Sequence, residues 1–276
     1  MKLLITGSTG FLGKATVNAA VEAGHTVRAM YRDEVTMRKA GFDTLPHVEP
    51  VLTDLRNADT LKSKMLGVDA VIHLAGSMTG GLAKMRTTFV DGTRRLIEAM
   101  SEAGVDRLAL VSSLSVYNYR ALKAGEILDE STPLETEPLF RDAYCVTKLE
   151  QEKLACAAVE EHNLRLTVLR PGVVVGREHT WTSRLGTGLP AGCWLIIGGG
   201  ATLPLSYVDN VADALVLTVS SHTAIGETYN IVDDDLPTQR QYISMLQENE
   251  YSVPSILLTV PLGLISSLAG LATGIN

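Results

Sequence analysis

Tyr144 and Lys148 stand four residues apart in Ala143–Glu161, a stretch whose pattern predicts a helix, and residues at that spacing share a helix face. A phenol with an unperturbed pKa of about 10 is a poor base at neutral pH. A neighbouring ammonium favours the phenolate and draws that pKa toward the working range. The pair therefore reads as a proton-transfer device. Three hydroxyls, Ser112, Ser113 and Ser115, follow the apolar run Leu108–Val111, and the carboxyl end of a buried strand is where ligands bind in open α/β sheets. A serine there could hydrogen-bond a carbonyl or alcohol oxygen while the tyrosine gives or takes the proton. Alone, a Y-x-x-x-K pair is weak, because helix surfaces produce it by chance.

The elements around these residues strengthen the reading. Short β-rich runs at Lys2–Thr6, Thr26–Tyr31, Val48–Thr53, Ala70–Leu74, Leu108–Ser112 and Leu166–Leu169 alternate with helix-length stretches at Leu12–Ala23, Ala58–Leu66, Gly81–Ala103 and Ala143–Glu161. Continuous apolar runs suit a parallel sheet buried on both faces. Such alternation predicts an α/β fold of the Rossmann type, a doubly wound parallel sheet. From about Gly176 the alternation weakens and Gly and Pro become frequent. The expected division is a dinucleotide-binding core over residues 1–175 and a mainly substrate-binding region over 176–276, interleaved with it.

Thr6-Gly7-Ser8-Thr9-Gly10-Phe11-Leu12-Gly13 directly follows the first strand and opens the first helix. A dinucleotide site there needs a tight turn, a bare backbone so that a pyrophosphate can approach helix N–H groups, and close helix–strand packing. Gly7, Gly10 and Gly13 fit those jobs, in a G-x-x-G-x-x-G spacing one residue longer than the common fingerprint. About 20 residues on, an acidic residue would bind the ribose 2′-hydroxyl of NAD. The chain reads Tyr31-Arg32-Asp33-Glu34 instead. A guanidinium forks onto phosphate oxygens, so Arg32 favours NADP over NAD, the alternative being a solvated arginine paired with Asp33 or Glu34. Asp54-Leu55, after the third strand, could hold the adenine amino group or cap the helix that begins near Asn57.

Taken in order, the pieces Thr6–Gly13, Asp54-Leu55, His73-Leu74-Ala75-Gly76, Val111-Ser112-Ser113-Leu114-Ser115-Val116-Tyr117, Tyr144-Cys145-Val146-Thr147-Lys148, Leu169-Arg170-Pro171-Gly172 and Tyr207-Val208-Asp209-Asn210-Val211-Ala212 carry a resemblance. The chain resembles an extended short-chain dehydrogenase/reductase of the NAD-dependent epimerase/dehydratase family, with features like those of dihydroflavonol reductases and 3β-hydroxysteroid dehydrogenases. The resemblance covers Met1 to about residue 250. It implies Ser113 as the hydroxyl that orients the substrate oxygen, Tyr144 as acid/base, and Lys148 as the group that tunes the tyrosine and holds the nicotinamide ribose. It further implies cofactor contacts from Gly7, Thr9, Gly10, Phe11, Leu12, Gly13, Tyr31, Arg32, Asp54, Leu55, Leu74, Ala75, Gly76, Pro171, Gly172, Val173 and Val174. Ser77, Ser115 and Tyr117 are expected to line the substrate pocket, although Tyr117 could equally pack. His73 reads as a satisfied core histidine. A homodimer through residues 81–103 and 143–161 is implied by the resemblance alone.

Two departures bear on chemistry and substrate. The central helix of the family carries an Asn in a pattern like N-V-x-G-T, and here Phe89-Val90-Asp91-Gly92-Thr93 puts Phe89 in its place. A proton relay or helix kink built on that amide is therefore in doubt. Nucleotide-sugar enzymes often carry an arginine four residues before the aromatic of the V-x-D motif, and counting back from Tyr207 gives Leu203. A leucine cannot neutralise a diphosphate, and Arg177 and Arg184 do not match the motif. These features favour an oxidoreductase that interconverts a ketone or aldehyde with an alcohol on an apolar molecule. The rivals are a nucleotide-sugar epimerase or dehydratase with retained NAD, and a non-catalytic NADP-binding sensor or assembly factor.

Composition narrows the partners. The 276 residues are 46% hydrophobic, enough for a packed core. With 24 Lys and Arg against 31 Asp and Glu, a net charge of −7 argues against nucleic acid. Six histidines show no metal-ligand spacing, which predicts no metal site. Three cysteines, Cys145, Cys156 and Cys193, make no disulfide framework, and a cytoplasmic location is expected. After Glu250 no charged side chain recurs, and residues 256–272 are mostly apolar. Pro254, Pro261 and Gly263 interrupt that run, so amphipathic helices covering a substrate pocket are expected rather than a membrane span.

Overall fold

The computed structural model describes residues 1–76, 80–123, 125–189, 193–251, 253–254 and 256–261. The first half of the chain alternates as β1 (Lys2–Thr6), α1 (Phe11–Glu22), β2 (Thr26–Tyr31), α2 (Glu34–Lys39), β3 (Val48–Leu52), α3 (Ala58–Met65), β4 (Ala70–His73), α4 (Leu82–Arg86), α5 (Gly92–Ala103) and β5 (Arg107–Val111). Then follow α6 (Ala143–Glu161), β6 (Arg165–Pro171), β7 (Val173–Val175), β8 (Thr187–Gly188), β9 (Cys193–Ile197) and β10 (Leu205–Tyr207). The chain continues with α7 (Val208–Ser220), β11 (Thr228–Ile231), α8 (Gln239–Glu248) and β12 (Ile256–Val260). Two compact units result: residues 1–174 with 208–231, and residues 175–207 with 232–276.

In the first unit seven parallel strands run in the order β11-β6-β5-β4-β1-β2-β3. The chain winds outward from β1 through β2 to β3, then returns to place β4 on the other side of β1. That reversal leaves a crevice beyond the carboxyl ends of β1 and β4, the place where ligands bind in such sheets. Period-two alternation divides the core between the two faces. Leu4, Met30, Val71 and Leu108 pack with Leu61 and Met65 of α3, Leu96 and Met100 of α5 and Ala155 of α6. Leu3, Ile5, Val27 and Ile72 pack on the other side with Val17 and Ala20 of α1 and Val211 and Leu215 of α7.

Six strands and three of the four helices expected from sequence are present within two residues at each end. The fourth, expected over 81–103, is interrupted by a π-helical turn at Thr87–Asp91. This wider turn carries Phe89 into the protein, where it is 2% exposed, and the Thr93 hydroxyl donates to the Phe89 carbonyl. The kink therefore exists without an asparagine. The polar start Asp33-Glu34 opens the unforeseen helix α2, where the Asp33 carboxylate accepts from the Thr36 N–H at 2.8 Å. Residues 208–231 also return to the sheet, with α7 lying on α1 and β11 adding a seventh strand beside β6.

A buried polar cluster ties α6 to the strands beneath it. Glu152 accepts from the Ser112 hydroxyl at 2.5 Å and pairs with the Arg170 guanidinium. Arg170 Nη1 also donates to the Tyr117 hydroxyl at 2.6 Å, and that hydroxyl donates to Asn230 Oδ1 at 2.8 Å.

In the second unit β9 pairs with β8 antiparallel and with β12 parallel. Trp181 and Trp194 meet edge to face with ring centroids 5.1 Å apart. Helix α8 starts in a capping box between Thr238 and Gln241. The expectation of amphipathic helices at the end of the chain is corrected over Ile256–Val260, which is the strand β12. Its β-branched Ile, Thr and Val fit a pleated ribbon. Residues 262–276 lie outside the described residues. No helix among the described residues is long and apolar enough to cross a membrane.

Removing one member of a buried ion pair leaves the other charge uncompensated. Glu152→Ala is therefore expected to cost about 3–5 kcal/mol of stability, measured as a lower urea midpoint. A loss below about 1 kcal/mol, the range of exposed pairs, would show that the pair does not hold α6 to the sheet.

Candidate active site

The glycine loop occupies the mouth of the crevice. Gly7 has φ +67°, a left-handed conformation, and an added Cβ would come within 2.9 Å of the Ala75 backbone. Gly13 lies against the loop so closely that a Cβ would meet the Gly7 carbonyl oxygen at 2.1 Å. These contacts bring the first turn of α1 onto the loop, and Gly10 caps that helix without a side chain in the way. The Ser8 hydroxyl anchors the loop to the Met30 carbonyl at 2.8 Å.

One cavity gathers Gly7, Thr9, Gly10, Tyr31, Arg32, Asp54, Leu55, Leu74, Ala75 and Gly76. All ten are expected cofactor contacts drawn from four separate strand ends. Met30, Arg56 and Thr88 also line it. Asp54 does not cap α3, whose N-cap position is Asn57. Its carboxylate instead takes a forked pair from Arg56, with Nε at 3.1 Å and Nη2 at 2.6 Å. Arg56 first, then Arg32 at longer range, hold the Asp54 carboxyl below the usual carboxylate range, although partial burial opposes them. Of the acidic neighbours of Arg32, Asp33 caps α2 and Glu34 pairs with Arg38 at 3.3 Å.

The serines sort themselves by the alternation of the strand end. Ser112 faces inward and bonds Glu152. Ser113 is turned the other way, where its Oγ accepts the Ser115 N–H at 3.1 Å and lies beside the Tyr144 phenol. The Ser115 Oγ is buried and has no hydrogen-bond partner among the described residues. Tyr144 follows the N-cap Asp142, whose carboxylate accepts from the Cys145 N–H at 2.8 Å and fixes the start of α6. One turn later Lys148 is buried, its Nζ donating to the Val111 carbonyl at 2.7 Å and to Gln151 Oε1 at 2.8 Å.

Phe89 forms the floor. Its ring lies 4.6 Å from Lys148 Nζ and 5.9 Å from the Tyr144 ring, and a Cβ on Gly76 would meet it at 2.3 Å. Burial pulls the Lys148 ammonium down to a pKa of about 7, with Glu152 opposing. Burial likewise pushes the Tyr144 phenol up, against the downward pull of the neighbouring Ser113 hydroxyl. The sequence-based expectation of a phenol lowered by Lys148 is corrected here. Desolvation dominates, and the lysine spends two donors on Val111 and Gln151.

Other expected residues sit apart from the cavity. Phe11, Leu12 and Gly13 form the first turn of α1, with Leu12 packed on the core. Pro171 is buried at the end of β6, the Gly172 N–H donates to Ile231 at 3.0 Å, and Val173 and Val174 begin β7. Tyr117 is fully buried with its hydroxyl taken by Arg170 and Asn230. Of its two sequence readings, the geometry shows packing rather than a substrate-facing surface. Ser77 lies outside the described residues. Gln151 went unnoticed in the sequence, although its place three residues after Lys148 puts it on the same helix face.

The chain matches the model of the NAD dependent epimerase/dehydratase family over residues 3–232. A 3-beta-hydroxysteroid dehydrogenase of Mycolicibacterium neoaurum is 28% identical over 85% of this chain and 66% of its own length. A farnesyl-dihydroquinoline-oxide ketoreductase of Stigmatella aurantiaca is 28% identical over 91% and 73%. A decarboxylating sterol-4-alpha-carboxylate 3-dehydrogenase of Bos taurus is 31% identical over 84% and 65%. The chain thus spans about two thirds of the length of several curated relatives. Among solved structures, the dTDP-glucose 4,6-dehydratase of Streptomyces venezuelae with NAD bound superposes with a TM-score of 0.76 at 24% identity, covering 95% of this chain and 84% of that one. The UDP-glucuronic acid 4-epimerase of Bacillus cereus with NAD gives 0.76 at 23%, covering 94% and 87%. At these identities the two structures establish the fold.

Because Gly76 touches the Phe89 ring, Gly76→Ala is expected to push that ring toward Lys148 and Tyr144. NADH affinity, followed by nucleotide fluorescence, should fall by about tenfold, or about 1.4 kcal/mol. Adding Phe89→Leu should restore much of it. Equal affinity in Gly76→Ala and the parent would show that this contact does not shape the cavity.

Proposed function

The chain belongs to the NAD dependent epimerase/dehydratase family, and from that premise we propose that it interconverts a ketone or aldehyde with the corresponding alcohol on a small or medium-sized apolar molecule. The observation that carries this reading is the placement of the Ser113 hydroxyl beside the Tyr144 phenol at the end of β5, with Lys148 one turn beyond on the same helix. The glycine cradle, which a Cβ at Gly7 or Gly13 would fill, fits the pyrophosphate of a nicotinamide dinucleotide. When bound, that cofactor supplies or accepts the hydride. Ser113 hydrogen-bonds the substrate oxygen and holds it beside the phenol. Tyr144 donates its proton to that oxygen in reduction and removes it in oxidation. A phenol whose pKa is raised stays protonated at neutral pH, which supports the reducing direction. Lys148 stabilises the phenolate left after proton transfer and holds the ribose hydroxyls.

NADP is the preferred cofactor in this reading, with NAD possible. Arg32 and Arg56 line the same cavity, and guanidinium groups suit a 2′-phosphate. The apolar substrate class draws support from Leu203, 2% exposed where an arginine would serve a nucleotide sugar, and from the dehydrogenase and ketoreductase names of the relatives. A homodimer through α5 and α6 belongs to the same proposal, in a cytoplasmic setting.

A panel of aldehydes and ketones, followed by NADPH and NADH absorbance, tests the activity. Tyr144→Phe should lower kcat by about 10²–10⁴; an unchanged rate on every accepted carbonyl would remove Tyr144 from the mechanism. Arg32→Ala should weaken NADPH about tenfold or more and leave NADH nearly unaffected. An unchanged preference would end the NADP assignment. Stoichiometric bound NAD with conversion of a UDP- or dTDP-sugar and no net NADPH turnover would establish the epimerase or dehydratase instead. A monomeric mass in solution would refute the dimer.

A further inference from the structure

The hydrogen bonds around Lys148 constrain one another's directions, and the Gln151 amide nitrogen also lies 3.4 Å from His73 Nε2. An ammonium donates and never accepts, so Gln151 presents Oε1 to Lys148 and its amide nitrogen to Thr93 Oγ1, 2.9 Å away. The Thr93 hydroxyl proton goes to the Phe89 carbonyl in the preceding turn. Thr93 Oγ1 must then accept from His73 Nε2 at 2.8 Å. His73 Nδ1 in turn accepts from the Thr6 hydroxyl at 2.7 Å, and Thr6 Oγ1 accepts the Leu74 and Ala75 N–H groups at 3.2 and 3.1 Å. The opposite tautomer would bring three donors to the two lone pairs of Thr6. Thr6, His73, Thr93, Gln151 and Lys148 are all buried, and burial pulls His73 down to about 3, so its ring stays neutral.

We infer that Gln151 is the positioning residue for Lys148, its carbonyl fixing the ammonium and its amide nitrogen tying that lysine through Thr93, His73 and Thr6 to the Leu74-Ala75 backbone of the dinucleotide cavity. The inference rests on Lys148 serving the site as proposed above. The directions make this chain a brace and not a proton wire. Gln151 and His73 both donate into Thr93, so the bonds meet head-on there, and a carboxamide oriented by an ammonium has no proton to pass along. Phe89 closes the remaining side with its ring. The other titratable groups near Lys148 are Glu152 and Tyr144 on α6 and His73 at the end of β4, with Arg170 of β6 neutralising Glu152. None of them replaces Gln151 as an acceptor for Nζ.

The test uses apo protein labelled with ¹³C-lysine. The Lys148 Cε resonance, assigned by its loss in Lys148→Met, is titrated in the parent, in Gln151→Leu and in Gln151→Glu. Removing the acceptor disfavours the ammonium, so the midpoint should move below that of the parent in Gln151→Leu. A carboxylate at the same place favours it, so the midpoint should move above in Gln151→Glu. NADPH, titrated by fluorescence, should bind about tenfold more weakly to Gln151→Leu. Unmoved midpoints, or shifts of one sign in both variants, overturn the brace. Should Gln151→Leu fail to fold, Gln151→Glu decides alone, because its midpoint must rise. If instead Lys148→Met binds NADPH and turns over carbonyls like the parent, the reading of Lys148 as a site residue fails, whatever Gln151 does.

Discussion

An ammonium withdrawn from water must find its solvation again in the protein, and the site is organised around that requirement at Lys148. Two acceptors meet it, the last carbonyl of β5 and the side chain of Gln151, and an aromatic face covers a third side. Each comes from a different element. The carbonyl needs β5 to end at Val111, the amide needs one unbroken turn of α6, and the ring needs the π-helical turn that swings Phe89 inward. A shift in any of the three would leave the charge short of a partner, at a cost of several kcal/mol. The same dryness acts on the neighbouring phenol in the opposite sense. It lowers the base and raises the acid, so both groups move toward their neutral forms.

Helix α6 serves two polar clusters at once, because adjacent residues on a helix point about 100° apart. Lys148 and Gln151 face β4 and α5, whereas Glu152 faces Arg170 and Ser112. The strand end divides in the same way. Ser112 and Ser113 are neighbours in sequence, but alternation sends one hydroxyl into the Glu152 cluster and the other to Tyr144. The Glu152 cluster fixes the helix against β5 and β6. That registration then determines where Tyr144 sits relative to Ser113.

Much of this was legible in the sequence. The apolar strands, the glycine spacing and the Tyr144–Lys148 interval are local patterns, and they place the nucleotide crevice because strand order follows from alternation. What escaped depends on contacts distant along the chain. Glu152 meets Arg170 across 18 positions and Tyr117 meets Asn230 across 113, so no window of sequence shows that the tyrosine is spent on the scaffold. Helix α2 was hidden by its shortness, and the strand Ile256–Val260 by an apolar run whose period separates neither helix nor strand. The direction of the Tyr144 shift could not be read from spacing, since it depends on how much water the fold removes.

Phe89 links the cavity, the catalytic helix and the buried brace. Measured against the family pattern it is a lost amide, which reads as a lost function. In the structure it gives the site an apolar floor that touches Gly76, Tyr144 and Lys148 together. A ring at that place offers no hydrogen-bonding group, and a drier site strengthens every remaining electrostatic contact. The helix keeps its kink, because the freed carbonyl of Phe89 is bonded by Thr93. Thr93 is in turn the junction on which Gln151 and His73 converge. One side chain therefore both removes the amide and leaves its backbone carbonyl to the residue that anchors the brace. Lys148 therefore has an aromatic face on one side and the Gln151 amide on the other.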